Sequence, residues 1–86
     1  MTISYSRNFK KMFKKKDTWV QNKFNDQLLL FTKNINHPLL NNHPLSGEWS
    51  GCRSINITGD FRAVYEELNN NHFEFVAIGT HSELYS

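Results

Sequence analysis

The spacing of apolar residues changes once along this chain, and that change decides the class of fold open to it. Up to about Asn34 the apolar positions recur at three and four. Phe9, Met12, Phe13 and Lys16 lie on one face of a helix that starts at Arg7, and Val20, Phe24, Gln27 or Leu28, and Phe31 mark a second. After Gly47 the pattern is the alternation of a half-buried strand. Arg53, Ile55 and Ile57 alternate with Ser54, Asn56 and Thr58, and Phe61 to Leu68 is rich in aromatic and aliphatic residues. Phe73, Phe75, Ala77 and Gly79 then alternate with Glu74, Val76 and Ile78. Thr58-Gly59-Asp60 and Asn69-Asn70-Asn71-His72 read as turns, the second because asparagine tolerates left-handed backbone. Ahead of the helices, Ile3 and Tyr5 alternate with Thr2, Ser4 and Ser6 as a short first strand. Asp17 or Thr18 can cap the second helix. The prolines Pro38 and Pro44 favour extended backbone before them, so Asn34 to Pro44 is expected to be loop. Helices gathered on one face of a mainly antiparallel sheet give an α+β fold. The expected order is a short N-terminal strand, two helices, then an antiparallel meander of three to four strands, within which the first strand must also pair.

Residues 1–86 make one domain, with a small core. With 21% charged and 38% hydrophobic residues, neither a disordered nor a membrane class is favoured. No apolar run is longer than Leu28 to Phe31, against the roughly 20 residues of a membrane span. The polar, basic N-terminal stretch reads as no secretory leader. Cys52 stands alone, which fits a reducing, cytoplasmic setting. The net charge of +2 is modest, but six of the ten basic residues (Arg7, Lys10, Lys11, Lys14, Lys15, Lys16) precede the first acidic one, Asp17. Such a block attracts phosphate chains or an acidic partner, although it also suits a plain solvated helix face.

Two segments of the second half concentrate polar chemistry. One runs His43-Pro44-Leu45-Ser46-Gly47-Glu48-Trp49-Ser50-Gly51-Cys52-Arg53, and the other runs Gly79-Thr80-His81-Ser82-Glu83-Leu84-Tyr85. Between them stands Gly59-Asp60-Phe61-Arg62-Ala63-Val64-Tyr65. Taken singly, each candidate has an ordinary structural role: His43 in a loop, Asp60 in a hairpin turn, Arg53 and Arg62 as outward strand residues. Trp49, Tyr65 and Phe75 read as core. The four histidines, His37, His43, His72 and His81, form no close pair at ligand spacing, and one cysteine builds no zinc site, so neither metal nor cofactor is expected.

In their order and spacing these pieces resemble the RelE/ParE toxin superfamily, most closely its YafQ-like branch of bacterial mRNA interferases. The matching residues are His43-Pro44-Leu45, Gly47, Trp49, Gly51 and Arg53; then Asp60 before an aromatic, and Tyr65; then Gly79-Thr80-His81 and Leu84-Tyr85. The resemblance implies a RelE-like fold and ribosome-dependent cleavage of mRNA. It also implies a cognate antitoxin in a heteromeric complex, and a bacterial cytoplasmic setting. It gives His43, Asp60 and His81 acid–base roles and places Phe61 and Tyr85 as aromatics flanking the site. Arg62 matches the aromatic-Arg-x-x-Tyr pattern of the RelE-like branch. Asn56 departs from the pattern, standing where the YafQ-like branch usually has a further catalytic histidine. Either His43 and His81 suffice, or the enzyme is slow or silenced.

Metal-free RNA cleavage attacks the phosphate with the 2′-hydroxyl. It needs a base, an acid and positive charge on the developing phosphorane. Histidine can serve either proton role near neutral pH, and the arginine fork suits phosphate oxygens. On this reading His43 or His81 is the base and the other the acid, with Asp60 orienting a histidine, tuning its pKa or itself serving as a weak base. Arg53 and Arg62 bind phosphate, Phe61 and Tyr85 stack on a base, and Lys10, Lys14 and Lys15 hold RNA. The competing readings are a ParE-like gyrase poison that cuts nothing and a degenerate toxin that only binds antitoxin or RNA.

Overall fold

The computed structural model describes residues 1–85. Strand β1 (Thr2–Tyr5) leads into helices α1 (Arg7–Lys14) and α2 (Thr18–Lys33). Strand β2 (His43–Pro44) follows, then β3 (Arg53–Thr58), β4 (Phe61–Asn69) and β5 (His72–Thr80), and helix α3 (His81–Tyr85). One sheet of order β1-β5-β4-β3-β2 carries them all. The fold is α+β, as expected, but the sheet is mixed. The first strand pairs in parallel with β5, Ile3 opposite Phe73 and Tyr5 opposite Phe75, while the other pairings are antiparallel.

Local chemistry explains where the helices begin. Ser6 is the N-cap of α1, its Oγ accepting from the Phe9 amide at 3.0 Å. Asp17 takes the cap position of α2 without a side-chain cap bond. The choice between Gln27 and Leu28 resolves as a division of labour. Leu28 packs against the core, while Gln27 Nε2 donates to the carbonyls of Asn56 (2.9 Å) and Leu39 (3.3 Å), tying α2 to the sheet.

The main core fills the space between these two helices and the sheet. Phe9, Phe24, Phe31, Tyr65, Phe73 and Phe75 are all buried there, with ring centroids 4.9 Å apart for Phe31–Tyr65 and 5.2 Å for Phe24–Phe75. Burial raises the Tyr65 phenol above its ordinary pKa, against the hydrogen bond it receives from Asn42. A smaller cluster of Val64, Ala77 and Leu84, with Leu45, Trp49 and Tyr85 against it, packs around α3.

Three local expectations differ from the structure. The segment Asn34 to Pro44 is not bare loop. A 3-10 turn at Pro38–Leu40, capped by His37 Nδ1 on the Leu39 amide, buries Leu40 completely. His43–Pro44 then adds an edge strand against Ser54 and Arg53, a place where proline's missing N–H does little harm. Strand β5 does not alternate throughout. Tyr65 pairs with Phe75 but Val64 pairs with Ala77, so Val76 is an extra residue and the faces swap beyond it. Ile78 therefore joins the main core, and Ala77 and Gly79 turn to the other face. The chain after Thr80 is a helix, α3, which the strand patterns did not foretell.

Candidate active site

β2, β4 and α3 converge on a cleft of about 420 Å³ lined by Asn41, His43, Leu45, Ser46, Arg62, His81 and Tyr85. His43 is half-buried, and its Nδ1 lies 2.8 Å from the carbonyl of Asn41. A carbonyl only accepts, so Nδ1 donates, and in the neutral form of the ring the lone pair is then on Nε2. Asn41 can present that carbonyl because it adopts left-handed backbone, φ +45°. Arg62 rises from β4 between Asn56 on β3 and Gly79 on β5. Its Nη1 donates to the carbonyls of Gly59 (3.0 Å) and Phe61 (3.2 Å).

His81 and Tyr85 are one helical turn apart, which stacks them on one face of α3. Their rings meet edge to face with centroids 4.8 Å apart. The Tyr85 hydroxyl is buried with no hydrogen-bond partner among the described residues.

α3 is short and is held by contacts at both ends. At its start the Thr80 amide donates to Glu83 Oε1 at 2.7 Å and the Glu83 amide donates to Thr80 Oγ1 at 3.2 Å. This is a reciprocal capping box. The His81 amide donates to the Asp60 carbonyl at 3.2 Å. Lys16 Nζ pairs with Glu83 Oε2 at 3.4 Å. A Cβ on Gly79 would stand 2.9 Å from Glu83 Oε1, so the absence of a side chain there gives the carboxylate its seat. At the far end Trp49 Nε1 donates to the Leu84 carbonyl at 2.8 Å, satisfying a group the helix end leaves free.

The Thr80 amide, and after it Lys16, hold the Glu83 carboxyl below its ordinary pKa. A carboxylate depressed on folding stabilises the fold above its unfolded pKa, and that contribution disappears as pH falls through the lower folded value. α3 is therefore expected to loosen in acid, below the usual carboxylate range. Glu83→Gln, which keeps a capping amide but cannot titrate, should flatten that transition when the His81 ring proton shifts are followed by NMR. An unchanged acid transition in the variant would refute the assignment.

Of the residues expected to form the site, the cleft gathers His43, Arg62, His81 and Tyr85. Asp60 sits in the exposed turn between β3 and β4, joined to α3 through its backbone carbonyl. Arg53 and Phe61 lie elsewhere. Arg53 shares its strand face with Ile55 and stands opposite Tyr65. Its Nε donates to Asn42 Oδ1 at 2.8 Å, and it lines a second cleft with Tyr65, Glu67 and Phe73. Phe61 shares the face of Ala63 and Tyr65 and packs edge to face on Trp19 at 5.8 Å. Strand parity explains both placements, since Arg53 and Phe61 are each two residues from a core position. Lys10, Lys14 and Lys15 are exposed around α1, whereas Lys16 is committed to Glu83.

Asn41 and Ser46 line the cleft without having been singled out in the sequence. Glu83 was also overlooked, although Thr80-x-x-Glu83 is a capping-box signal. Of the other histidines, His37 caps its 3-10 turn and His72 Nε2 lies 2.8 Å from Ser4 Oγ. Among the described residues no three His, Cys, Asp or Glu side chains gather as a metal site.

The mixed five-stranded sheet, backed by α1 and α2 and closed over the cleft by α3, is the fold found in toxins of the RelE/YafQ kind. The family model for YafQ, a bacterial toxin of type II toxin–antitoxin systems, matches residues 1–86, and the chain belongs to that family. The crystal structure of YafQ from E. coli strain BL21(DE3) is similar at 27% identity, covering 98% of this chain and 97% of that one, with a TM-score of 0.78. YafQ in the E. coli DinJ–YafQ complex is 29% identical over 98% and 97% of the two chains, with a TM-score of 0.71. A YoeB/ParE toxin from Agrobacterium tumefaciens, at 21% identity over 94% and 99%, shares the fold with a TM-score of 0.76. No curated protein sequence matches the chain.

Proposed function

We propose that this toxin is a metal-independent endoribonuclease that cuts mRNA on the translating ribosome. The observation that carries the reading is the convergence of His43, Arg62, His81 and Tyr85 in one open cleft from three separate elements. Two imidazoles supply the base that takes the 2′-hydroxyl proton and the acid that protonates the leaving 5′-oxygen. His43 is the better base, because its Asn41 contact leaves Nε2 as the unprotonated nitrogen. His81, exposed at the start of α3, is then the acid. Arg62 places fixed positive charge on the phosphorane, and Tyr85 offers its ring to a base. Asp60 tunes the site from the turn that carries His81's backbone contact. Arg53 acts at a distance, holding Asn42 and so the approach to His43.

The partner expected in the cell is a cognate antitoxin, as in the DinJ–YafQ complex of the E. coli relative. The decisive experiment is primer extension on a translated reporter mRNA after induced expression. Codon-phased cuts that vanish when the start codon is removed are expected. Growth arrest without cuts would overturn the reading in favour of a toxin that acts by binding.

Ribosome attachment is assigned to Lys10, Lys14 and Lys15. Each phosphate contact contributes roughly 0.7–0.9 to the slope of log affinity against log salt. Replacing all three by glutamate should weaken co-sedimentation with ribosomes and flatten that slope. Equal sedimentation of wild type and variant at every salt concentration would remove these lysines from the interface.

A further inference from the structure

The residue that departs from the family pattern and the arginine that lines the cleft meet on one rung of the sheet. Asn56 on β3 stands directly opposite Arg62 on β4. Directly opposed residues leave a sheet on the same face, with Cβ atoms about 4.5–5.5 Å apart. Asn56 cannot easily move away, because its backbone carbonyl is bound by Gln27 from α2 at 2.9 Å. Its side-chain Oδ1 is sheltered from solvent and has no hydrogen-bond partner among the described residues. Such an orphaned acceptor is rare in a folded protein and calls for a partner in some functional state.

Arg62 is the nearest rich source of donors. A guanidinium carries five N–H groups. Both bonds that Arg62 makes to Gly59 and Phe61 leave from Nη1 and run to carbonyls of its own turn. In that pose the fork is parked on the backbone, while the acceptor across the rung is empty.

We propose that Asn56 is a positioning residue for Arg62. When a phosphate enters the cleft, the guanidinium leaves the turn carbonyls, gives one N–H to Asn56 Oδ1 and presents the remainder of its fork to the phosphate oxygens. An asparagine suits this role better than a histidine would. Its amide oxygen is a permanent acceptor that does not gain a charge beside the arginine. Asn56 thus replaces a proton-transfer group with a support for charge stabilisation. This rests on reading the cleft as a site of RNA cleavage.

The test is a double-mutant cycle on single-turnover cleavage of mRNA in programmed ribosomes, with Asn56→Ala, Arg62→Ala and the pair. Asn56→Ala is expected to lower kcat about 10- to 100-fold with KM little changed, as for an interaction used mainly in the transition state. The same change made in the Arg62→Ala background should have almost no further effect, because the group it supports is gone. Asn56→Gln keeps a neutral amide oxygen on the same face and should recover part of the lost rate, which also covers the case that the alanine variant is poorly folded. Multiplicative losses in the cycle, or an Asn56→Gln variant as slow as Asn56→Ala, would overturn the proposal while leaving the nuclease intact. Absence of cuts by the wild-type protein would instead overturn the reading of the cleft, and the proposal with it.

Discussion

His81→Ala should cut the rate of mRNA cleavage by about 10²–10⁴-fold, the range expected for removal of one proton-transfer group. The protein should remain folded. His81 is exposed, its ring touches Tyr85, and its backbone amide, which alanine keeps, makes the bond to Asp60. Changes at such exposed sites usually stay within about 0.5 kcal/mol. Activity and stability should therefore separate cleanly. His43→Ala should be comparably slow, and combining the two should cost far less than the product of the single losses, since the base and acid of the proposed mechanism act as a unit. Single-turnover cleavage, with melting curves of each variant alongside, decides the matter. A His81→Ala enzyme within tenfold of wild type would exclude it as the acid.

The second large effect is on stability. Phe31→Ala should destabilise the domain by about 3–5 kcal/mol through lost burial and the cavity left behind. Phe31 is fully buried, with its ring centroid 4.9 Å from that of Tyr65 and 5.4 Å from those of Phe73 and Phe75. It is the point where α2 grips β4 and β5 at once. A domain of 86 residues holds about 4–13 kcal/mol in total, so the loss is a large share of the whole. At about 4–8 °C per kcal/mol for this size, Tm should fall by more than about 12 °C. A fall of less than about 5 °C in a circular-dichroism melt would show that the cavity collapses or that Phe31 carries less than its burial implies.

Much of this architecture was legible in the residues, because the helices and the β3–β4 hairpin are governed by local patterns. Val20, Phe24 and Phe31 are buried at the spacing that pointed to them. Asn71 takes the left-handed backbone, φ +65°, that its turn required. The features that escaped have non-local causes or were hidden by a single shift of register. No residue near Val76 announces a bulge; it exists because Val64 and Tyr65 select Ala77 and Phe75 as partners. The parallel partner of β1 lies at the other end of the chain, beyond the reach of any window of sequence. The site divides the same way. His43, Arg62, His81 and Tyr85 come together in the cleft, whereas Arg53 and Phe61 were placed by motif when the parity of their strands sends them to the helix side. α3 was missed because an alternating strand runs into it with only the Thr80–Glu83 box to mark the change.

The pairing of β1 with β5 also governs when the molecule can be complete. Its rungs join residues such as Tyr5 and Phe75, 70 positions apart along the chain. At a synthesis rate of about 5–20 residues per second, β1 must wait several seconds after leaving the ribosome before its partner strand exists. His81 and Tyr85 are made later still. A nascent chain therefore displays its lysine-rich helix long before the cleft between β2, β4 and α3 can be assembled. Any agent that captures β1 or the free edge of β4 during that interval would disarm the toxin without touching its finished site.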